Sequence, residues 1–386
     1  MRIALGLDLS DRQCAAHAVA VGRTKRAQKE FLDAFNKEFR RVRTDRDDLH
    51  RMVRVLRDGC NEVSILIENS TITHKVFWIL SETGCGVTVA QSADLLRITK
   101  SVTKNDDNDA MELAGYMRRR LMGENEFKAV VMTPPDLMAK KMFIRAIFVD
   151  KAYLADCKRR TRARIKVMGA DMRHEYSDIS CQRSLRQLRD TRDPYLCYEA
   201  CVMRETASRI KDAERYISEL FKDDGNYGLI LSIPGFGMEI SAYISTIVID
   251  IGRFGNKKQF EAYFGVVPRQ HASADEDPDC RTTHFGDEWA REFLGYAVKA
   301  HIMWCPDSVV TGMYNRLRAR HKPYKKVITA CSRKMLDVIW SVLRNGRPFT
   351  TDRAILSKAR GDAAEIEYVE SMLDPMEIEE RYAEDI

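Results

Sequence analysis

The first 135 residues alternate between short apolar runs and charged stretches, and this alternation constrains the fold more than any other feature. The run "RIALGLDLS" places leucine and isoleucine on one face of a strand and alanine, glycine and Asp8 on the other. "EVSILIENS" predicts a second strand, which ends at Glu68, and "GVTVAQS" predicts a third. Because helix-favouring stretches lie between these strands, residues 1–135 are predicted to form an α/β sheet domain.

The rest of the chain predicts helices. Residues 136–222 contain no convincing strand and favour a helical hairpin or coiled coil, with Pro194 separating two of the helices. Residues 223–349 predict a second helical domain. Residues 350–386 form an acidic tail of low hydrophobicity, to which the sequence assigns no chemistry.

Charge is unevenly distributed along the chain. The 386 residues carry a formal net charge of +6, but Thr350 to Ile386 hold eleven acids and four bases. This tail has a net charge of −7, which leaves +13 on residues 1–349. A basic body with an acidic tail favours a polyanionic partner, most simply nucleic acid.

Cysteine usage and hydropathy indicate a cytoplasmic protein. The ten cysteines include no CxxC pair and no arrangement with histidine at metal-ligand spacing, so we expect reduced thiols. The N-terminus opens directly on a strand pattern, and we expect no signal peptide. The most apolar stretch, residues 227–252, is interrupted by Pro234 and two glycines that follow it, which favours a buried helix pair over a membrane span.

Four carboxylates are candidates for a metal site. "VTKNDDNDAMELA" places aspartates at the start of a predicted helix, and Asp106 and Asp109 share one face of it because they are three residues apart. Asp8 and Glu68 lie near strand ends, which border the ligand crevice in open α/β sheets. Together they could hold Mg²⁺ or Mn²⁺ for in-line phosphoryl transfer. An acidic, solvated helix start explains the aspartates about equally well.

The segments "GLDLS", "ILIENSTITHKVFWILSETG" and "TKNDDNDAMELA" resemble, in order, the three acidic motifs of the insertion-sequence-110 family of DEDD transposases. The resemblance implies an RNase H-like (RuvC-like) fold for residues 1–135. It also implies that a divalent metal is held by Asp8, Glu68, Asp106 and Asp109. The third motif usually reads lysine-threonine-aspartate, whereas this chain has asparagine in place of threonine.

The C-terminal half resembles the same family. "LILSIPGFGMEISAYISTIVIDIGRFGNKKQFEAYFGVVPRQHAS" is similar to its transposase domain, and "YNRLRARHKPYKKVITACSRKML" is similar to its closing helix. The resemblance covers roughly residues 1–350 and implies that Ser273 is a nucleophile, although Ala274 replaces the usual glycine. It also implies a dimer or tetramer, with residues 136–222 mediating assembly and the two halves of the site coming from different subunits.

Two segments are candidates for contact with nucleic acid. "SIPGFG" resembles a helix-hairpin-helix turn, in which Gly235 and Gly237 would let backbone N–H groups meet a phosphate; a tight interhelical turn is an equal alternative. A basic segment with Tyr314 and Tyr324 interleaved favours backbone contact and base stacking, although a solvated basic helix would look the same. Its basic residues are Arg316, Arg318, Arg320, Lys322, Lys325 and Lys326. A similar arginine cluster at residues 159–164 has less context.

These features predict a DNA transposase or recombinase of a mobile element. The family resemblance implies guidance by a structured noncoding RNA, so that base pairing reads the DNA sequence while the protein holds backbone and shape. A RuvC-like nuclease that uses water, such as a junction resolvase, and a non-catalytic nucleic-acid-binding protein are the alternatives. An actin-like sugar kinase or ATPase is disfavoured because no later glycine-rich nucleotide-binding segment follows "GLDLS".

Overall fold

The structure is a computed structural model that describes residues 1–60, 62–91, 95, 106–124, 127–169, 178–266 and 286–351. The chain divides into two compact units, Met1–Met132 and Thr133–Ile386, and each is described by itself. Within those ranges, no helix combines the length and the apolar character needed to cross a bilayer.

A five-stranded mixed sheet forms the centre of the first unit, with the strand order β3-β2-β1-β4-β5. Strand β1 pairs antiparallel with β2 and parallel with β4; β2 pairs antiparallel with β3, and β4 pairs parallel with β5. The strands are β1 (Arg2–Leu9), β2 (Gln13–Val21), β3 (Arg41–Arg43), β4 (Glu62–Glu68) and β5 (Gly86–Ala90).

Helices cover both faces of this sheet. They are α1 (Arg26–Glu38), α2 (Arg46–Asp58), α3 (Thr73–Ser81) and α4 (Asp106–Leu121). Ile3, Leu5 and Leu7 of β1 join a buried core with residues of α1, α2 and α3. On the opposite face, Ala4 and Leu66 pack with residues of α4 in a second, smaller core. The prediction of an N-terminal α/β domain is therefore confirmed.

Gly6 fixes the distance between β1 and α4. A Cβ atom at this position would lie 2.2 Å from the carbonyl oxygen of Ala110 and 2.3 Å from the amide nitrogen of Ala114. Because these are backbone atoms of α4, no rearrangement of a side chain could make room. The face of small residues read from "RIALGLDLS" is therefore the face against which the acidic helix packs.

Two strands differ from the sequence-based expectation. Strand β2 was not predicted, because "QCAAHAVAV" is rich in alanine and alanine has a low strand propensity. Its residues are buried through pairing with β1 rather than through bulky side chains of their own. Only helices were expected between the first two predicted strands, but the three-residue β3 also lies there and separates α1 from α2. These two strands make the sheet mixed.

In the described residues of the second unit, helices alternate with turns and loops and no strand is present. This confirms the predicted order of an α/β domain followed by helices. Its longer elements are α5 (Pro135–Val167), α6 (Gln182–Asp190), α7 (Pro194–Leu220), α8 (Gly225–Leu231), α9 (Met238–Val248), α10 (Lys257–Phe264), α11 (Glu288–Trp304), α12 (Val309–Ala319) and α13 (Tyr324–Asn345). A buried core runs through α8 to α13, and α13 alone buries twelve of its side chains.

Helices α5 and α7 form an antiparallel hairpin, with Pro194 at the first position of α7. Three ion pairs connect the two helices. The later a residue comes in α5, the earlier its partner comes in the chain around α7, which shows that the helices run in opposite directions. The pairs are Asp150 with Arg209 at 2.7 Å, Arg160 with Glu199 at 3.1 Å, and Arg164 with Asp193 at 2.6 Å. Arg160 and Arg164 of the 159–164 cluster therefore form ion pairs within the hairpin.

The close approach at Gly6 generates a test of the fold. Gly6→Ala should lower the free energy of unfolding by about 3 kcal/mol, because the new methyl group overlaps the backbone of α4. Gly115→Ala is the matched control: it lies on α4, and its Cβ would meet only the Arg119 guanidinium at 3.7 Å. The control should stabilise by about 0.5–1 kcal/mol, as alanine does inside a helix. Urea unfolding of both variants measures the difference; equal effects would contradict the packing.

Candidate functional site

The sheet aligns charged side chains in one row. Asp8 and Glu68 come at the carboxyl ends of the parallel strands β1 and β4, one position after the last pair that these strands form. Asp8 lies opposite Ala15 of β2, and Ala15 lies opposite Arg41 of β3. Because directly opposed residues of neighbouring antiparallel strands point to the same face, the Arg41 and Asp8 side chains share the face that α4 covers.

Helix α4 brings two more carboxylates to this row. Asp106 and Asp109 lie in its first turn, and α4 packs across β1 and β2. Burial, followed by the negative charges of Asp106, Asp109 and Glu68, raises the pKa of Asp8 to about 6. The four carboxylates predicted from the sequence are therefore electrostatic neighbours in the structure.

Two arginines neutralise the start of α4. Arg41 lies 3.3 Å from an oxygen of Asp106 and 3.2 Å from an oxygen of Asp107. Arg40 donates through its Nε to Asp107 at 2.8 Å, and this hydrogen bond holds the pKa of Asp107 below its usual range. Asp107 thus anchors the helix start to the edge of the sheet, while its neighbour Asp106 remains two-thirds exposed.

No role was predicted for either arginine from the sequence. Their position beside the acids follows from β2 and β3, and neither strand was predicted. The available signal was the doublet of Arg40 and Arg41, whose second arginine begins the alternating "RVR". It can be interpreted only once the register of three strands is known.

The donor set suits a hard divalent cation in its chemistry, because all four groups are carboxylates and they crowd negative charge around Asp8. Within the described part of the chain, no three acidic, histidine or cysteine side chains are placed so that they could hold a metal ion. In this arrangement, the positive charge beside the acids is that of Arg41. Metal binding by Asp8, Glu68, Asp106 and Asp109 therefore stays a prediction.

Ser273, together with residues 267–285 around it, lies outside the described residues. The described residues on either side of this segment are in contact. Gly286 has a φ of +98°, and a Cβ on it would lie 2.6 Å from the carbonyl oxygen of Tyr263 and 3.2 Å from the amide nitrogen of Gly265. The two flanks of the segment that carries Ser273 are thus fixed beside each other.

Asp287 holds the far flank in place. It caps α11 by accepting a hydrogen bond from the amide of Ala290, and it also accepts one from the Tyr243 hydroxyl at 2.8 Å. Its carboxylate pairs with Lys141 at 2.6 Å and with Arg145 at 2.8 Å. Burial opposes ionisation of Asp287, but these donors outweigh it and hold its pKa below the usual range. Helices α5, α9 and α11 are therefore tied together at this flank.

The "SIPGFG" turn packs against α11. Gly235 has a φ of +93°, and a Cβ on it would lie 2.4 Å from the amide nitrogen of His301. The ring of His301 contacts the carbonyl oxygen of Pro234 at 2.6 Å through Nδ1. These contacts favour the tight interhelical turn for Gly235. Gly237 is at the start of α9, and a phosphate-binding role for both glycines stays a prediction.

The basic segment spans the end of α12 and the start of α13. Arg318, Arg320, Lys325 and Lys326 are exposed, whereas Arg316 and Lys322 are half-buried. Tyr324 is 47% exposed and is free to stack on a base, while Tyr314 packs against the core. The exposure suits contact with a nucleic-acid backbone, which stays a prediction.

One family model matches part of the second unit. Residues 227–311 match the model of a family described as Transposase IS116/IS110/IS902 family. Over 137 residues the chain is 24% identical to a "Probable family 20 transposase" of Pseudomonas aeruginosa. The aligned stretch covers 35% of this chain and 40% of the relative. It is 26% identical over 129 residues to a "Pilin gene-inverting protein" of Moraxella lacunata, and this stretch covers 31% of this chain and 38% of the relative. It is 24% identical over 149 residues to the "Transposase for insertion sequence element IS1111A" of Coxiella burnetii, and this stretch covers 37% of this chain and 40% of the relative.

By this match and by the names of these relatives, the chain is similar to transposases of the IS116/IS110/IS902 family. The similar stretch spans about two-fifths of the length of these relatives. The matched residues include the "SIPGFG" turn, the segment with Ser273 and its two flanks. The acids of the first unit lie outside the family-model match.

The pKa of Asp8 generates a test of the acid cluster. A raised pKa means that the folded state prefers the neutral carboxyl, so this preference is fully present below about pH 4 and is lost as the pH rises through about 6. In the presence of EDTA, Asp8→Asn should therefore stabilise the protein at pH 7.5 by about 1 kcal/mol, a value reduced for the partial exposure of Asp8. The gain should vanish near pH 3.5.

Urea unfolding at both pH values measures this difference. Asp11→Asn, at an exposed position in the turn after β1, is the control and should change stability little at either pH. Destabilisation by Asp8→Asn at pH 7.5 would show that the carboxylate is not crowded by its neighbours.

Proposed function

We propose that this protein is a DNA transposase or recombinase of a mobile element, which cuts and rejoins DNA strands. The match of residues 227–311 to the transposase family model carries this proposal. Relatives named as an insertion-sequence transposase and as a pilin gene-inverting protein support it, since both names describe rearrangement of DNA.

In this proposal, Asp8, Glu68, Asp106 and Asp109 hold Mg²⁺ or Mn²⁺ at the edge of the sheet. The ions would supply charge stabilisation to the phosphate that is transferred. The crowding of negative charge around Asp8 supports this role, because a bound divalent cation would relieve it at neutral pH more fully than the single charge of Arg41 does. The alternative, an acidic helix start without a metal, explains Asp107. The carboxylate of Asp107 is paired with Arg40 and Arg41.

Ser273 serves as the nucleophile in the same proposal. Its hydroxyl oxygen gives up its proton and forms a bond to the phosphorus of a DNA phosphodiester, and the bond from that phosphorus to one sugar oxygen breaks. The sugar oxygen takes up a proton and leaves as a free hydroxyl. The phosphoserine link keeps the energy of the broken bond, so attack by a free DNA hydroxyl can later rejoin the strand and release the serine. The position of Ser273 within the family-model match supports the role.

DNA is the proposed substrate, and the resemblance to the insertion-sequence-110 family adds a structured guide RNA. The positive charge of residues 1–349 suits two polyanions. The exposed arginines and lysines around the α12–α13 junction suit contacts to backbone phosphates. Gly235 and Gly237 are proposed as further contacts through backbone amides. Base pairing with the RNA would then read the DNA sequence.

A homo-oligomer is proposed through helix α5. Met142, Val149 and Tyr153 are 63%, 54% and 42% exposed, and Ala146 lies on the same stripe. Their spacing of four, three and four residues is the repeat of a coiled-coil seam. Since α7 already packs on another face of α5, this apolar stripe supports docking of a second copy of the chain by residues 136–222.

The acid cluster alone would also serve a nuclease that uses water, so the serine decides between the two functions. Ser273→Ala should reduce strand exchange by about a thousandfold or more, because the covalent intermediate cannot form. DNA binding should be retained. Thr282→Ala, which removes another hydroxyl from the same segment, is the control and should keep activity.

The measurement is a DNA adduct that resists denaturation, formed by the parent and the control but not by Ser273→Ala. A variant that still recombines DNA would overturn the nucleophile assignment. Nicked DNA from the parent without any adduct would favour the water-using nuclease. Binding without cleavage in the presence of either metal would favour a non-catalytic nucleic-acid-binding protein.

A further inference from the structure

Arg41 reaches the acid cluster from the edge strand β3. It shares a row of the sheet with Asp8, and the residue between them is Ala15, whose side chain is too small to block the guanidinium. The guanidinium lies 3.3 Å from Asp106 and 3.2 Å from Asp107, with the side chain 38% exposed. The positive charge of Arg41 also acts on Asp8, where it lowers the pKa against the effect of the neighbouring acids.

The two contacts of Arg41 differ in what they would cost to break. Asp107 keeps a second partner, because Arg40 donates to it as well. Helix α4 therefore stays tied to the sheet edge when Arg41 moves. Asp106 is 66% exposed, and Arg41 is the cation paired with it in the structure. Releasing Asp106 would thus free one carboxylate without undocking the helix.

We propose that Arg41 is a positioning residue that occupies the negative field of Asp106 and Asp8 until a divalent cation enters, and that the cation must displace it. This inference rests on the metal site of the proposed function. The guanidinium and the ion compete for the same carboxylate charge, so the apparent metal affinity is the intrinsic affinity reduced by the free energy of the arginine contact. Removing the arginine charge therefore strengthens metal binding.

A purely structural role for Arg41 predicts the opposite sign. If the guanidinium only held the acids in place, its loss would scatter them and weaken metal binding. The sign of the change in metal affinity separates the two roles without any measurement of catalysis.

The experiment measures the melting temperature of the full chain, free of nucleic acid, during titration with MnCl₂ alone. Arg41→Gln removes the charge and keeps much of the length of the side chain. Its midpoint for stabilisation by Mn²⁺ should be about fivefold lower than that of the parent, a factor typical of one partly exposed ion pair. Without metal, its melting temperature should be lower than that of the parent, because the acids lose a counter-charge.

Arg43→Gln is the matched control, since Arg43 lies two residues further along the same edge strand and is also exposed. Its Mn²⁺ midpoint should equal that of the parent. Arg41→Lys keeps a charge but loses the two-pronged contact, and its midpoint should fall between those of the parent and Arg41→Gln. This variant keeps the test open if Arg41→Gln does not fold.

The outcomes separate this inference from the proposed function. Equal midpoints for the parent and Arg41→Gln, or a higher midpoint for the variant, would overturn the competition while leaving the metal site intact. No response of the parent to Mn²⁺ would overturn the metal site and the competition together.

Discussion

The packing of helix α4 on strand β1 at Gly6 is the contact on which the candidate site depends. Backbone meets backbone there, because the position carries no side chain. This closeness places the first turn of α4 within the electrostatic reach of Asp8, two residues further along β1. The strand supplies one carboxylate and the helix supplies two, so the site is an outcome of how closely two elements approach.

Much of this arrangement can be predicted from the residues, and the missing part has a physical reason. The period-two pattern of "RIALGLDLS" shows which face of β1 is small and that Asp8 lies on it. The three-residue spacing places Asp106 and Asp109 on one side of a helix. Strand β2 escapes prediction because its alanines are buried by pairing rather than by size, and Arg41 escapes with it. Arg41 lies two strands away from Asp8, so its position beside the acids cannot be predicted without the pairing register of β1, β2 and β3.

In the helical unit, too, local sequence patterns predict the helices but not the contacts between residues that are far apart in the chain. Helix α5, the hairpin and the role of Pro194 follow from composition and from the known behaviour of proline at helix starts. The contact of Gly286 with Tyr263, and the convergence of Lys141, Arg145 and Tyr243 on Asp287, join residues that are far apart in sequence. These contacts hold the described flanks of the segment with Ser273 in place.

The central proposal is that carboxylates from β1, β4 and α4 bind divalent cations together. Electron paramagnetic resonance of free Mn²⁺, measured while the full chain is titrated, tests it directly by counting the ions that the protein removes from solution. The parent should bind Mn²⁺ in a defined ratio, whereas Asp8→Asn and Asp109→Asn should each weaken this binding by about tenfold or more. Unchanged Mn²⁺ binding in both variants would contradict the claim.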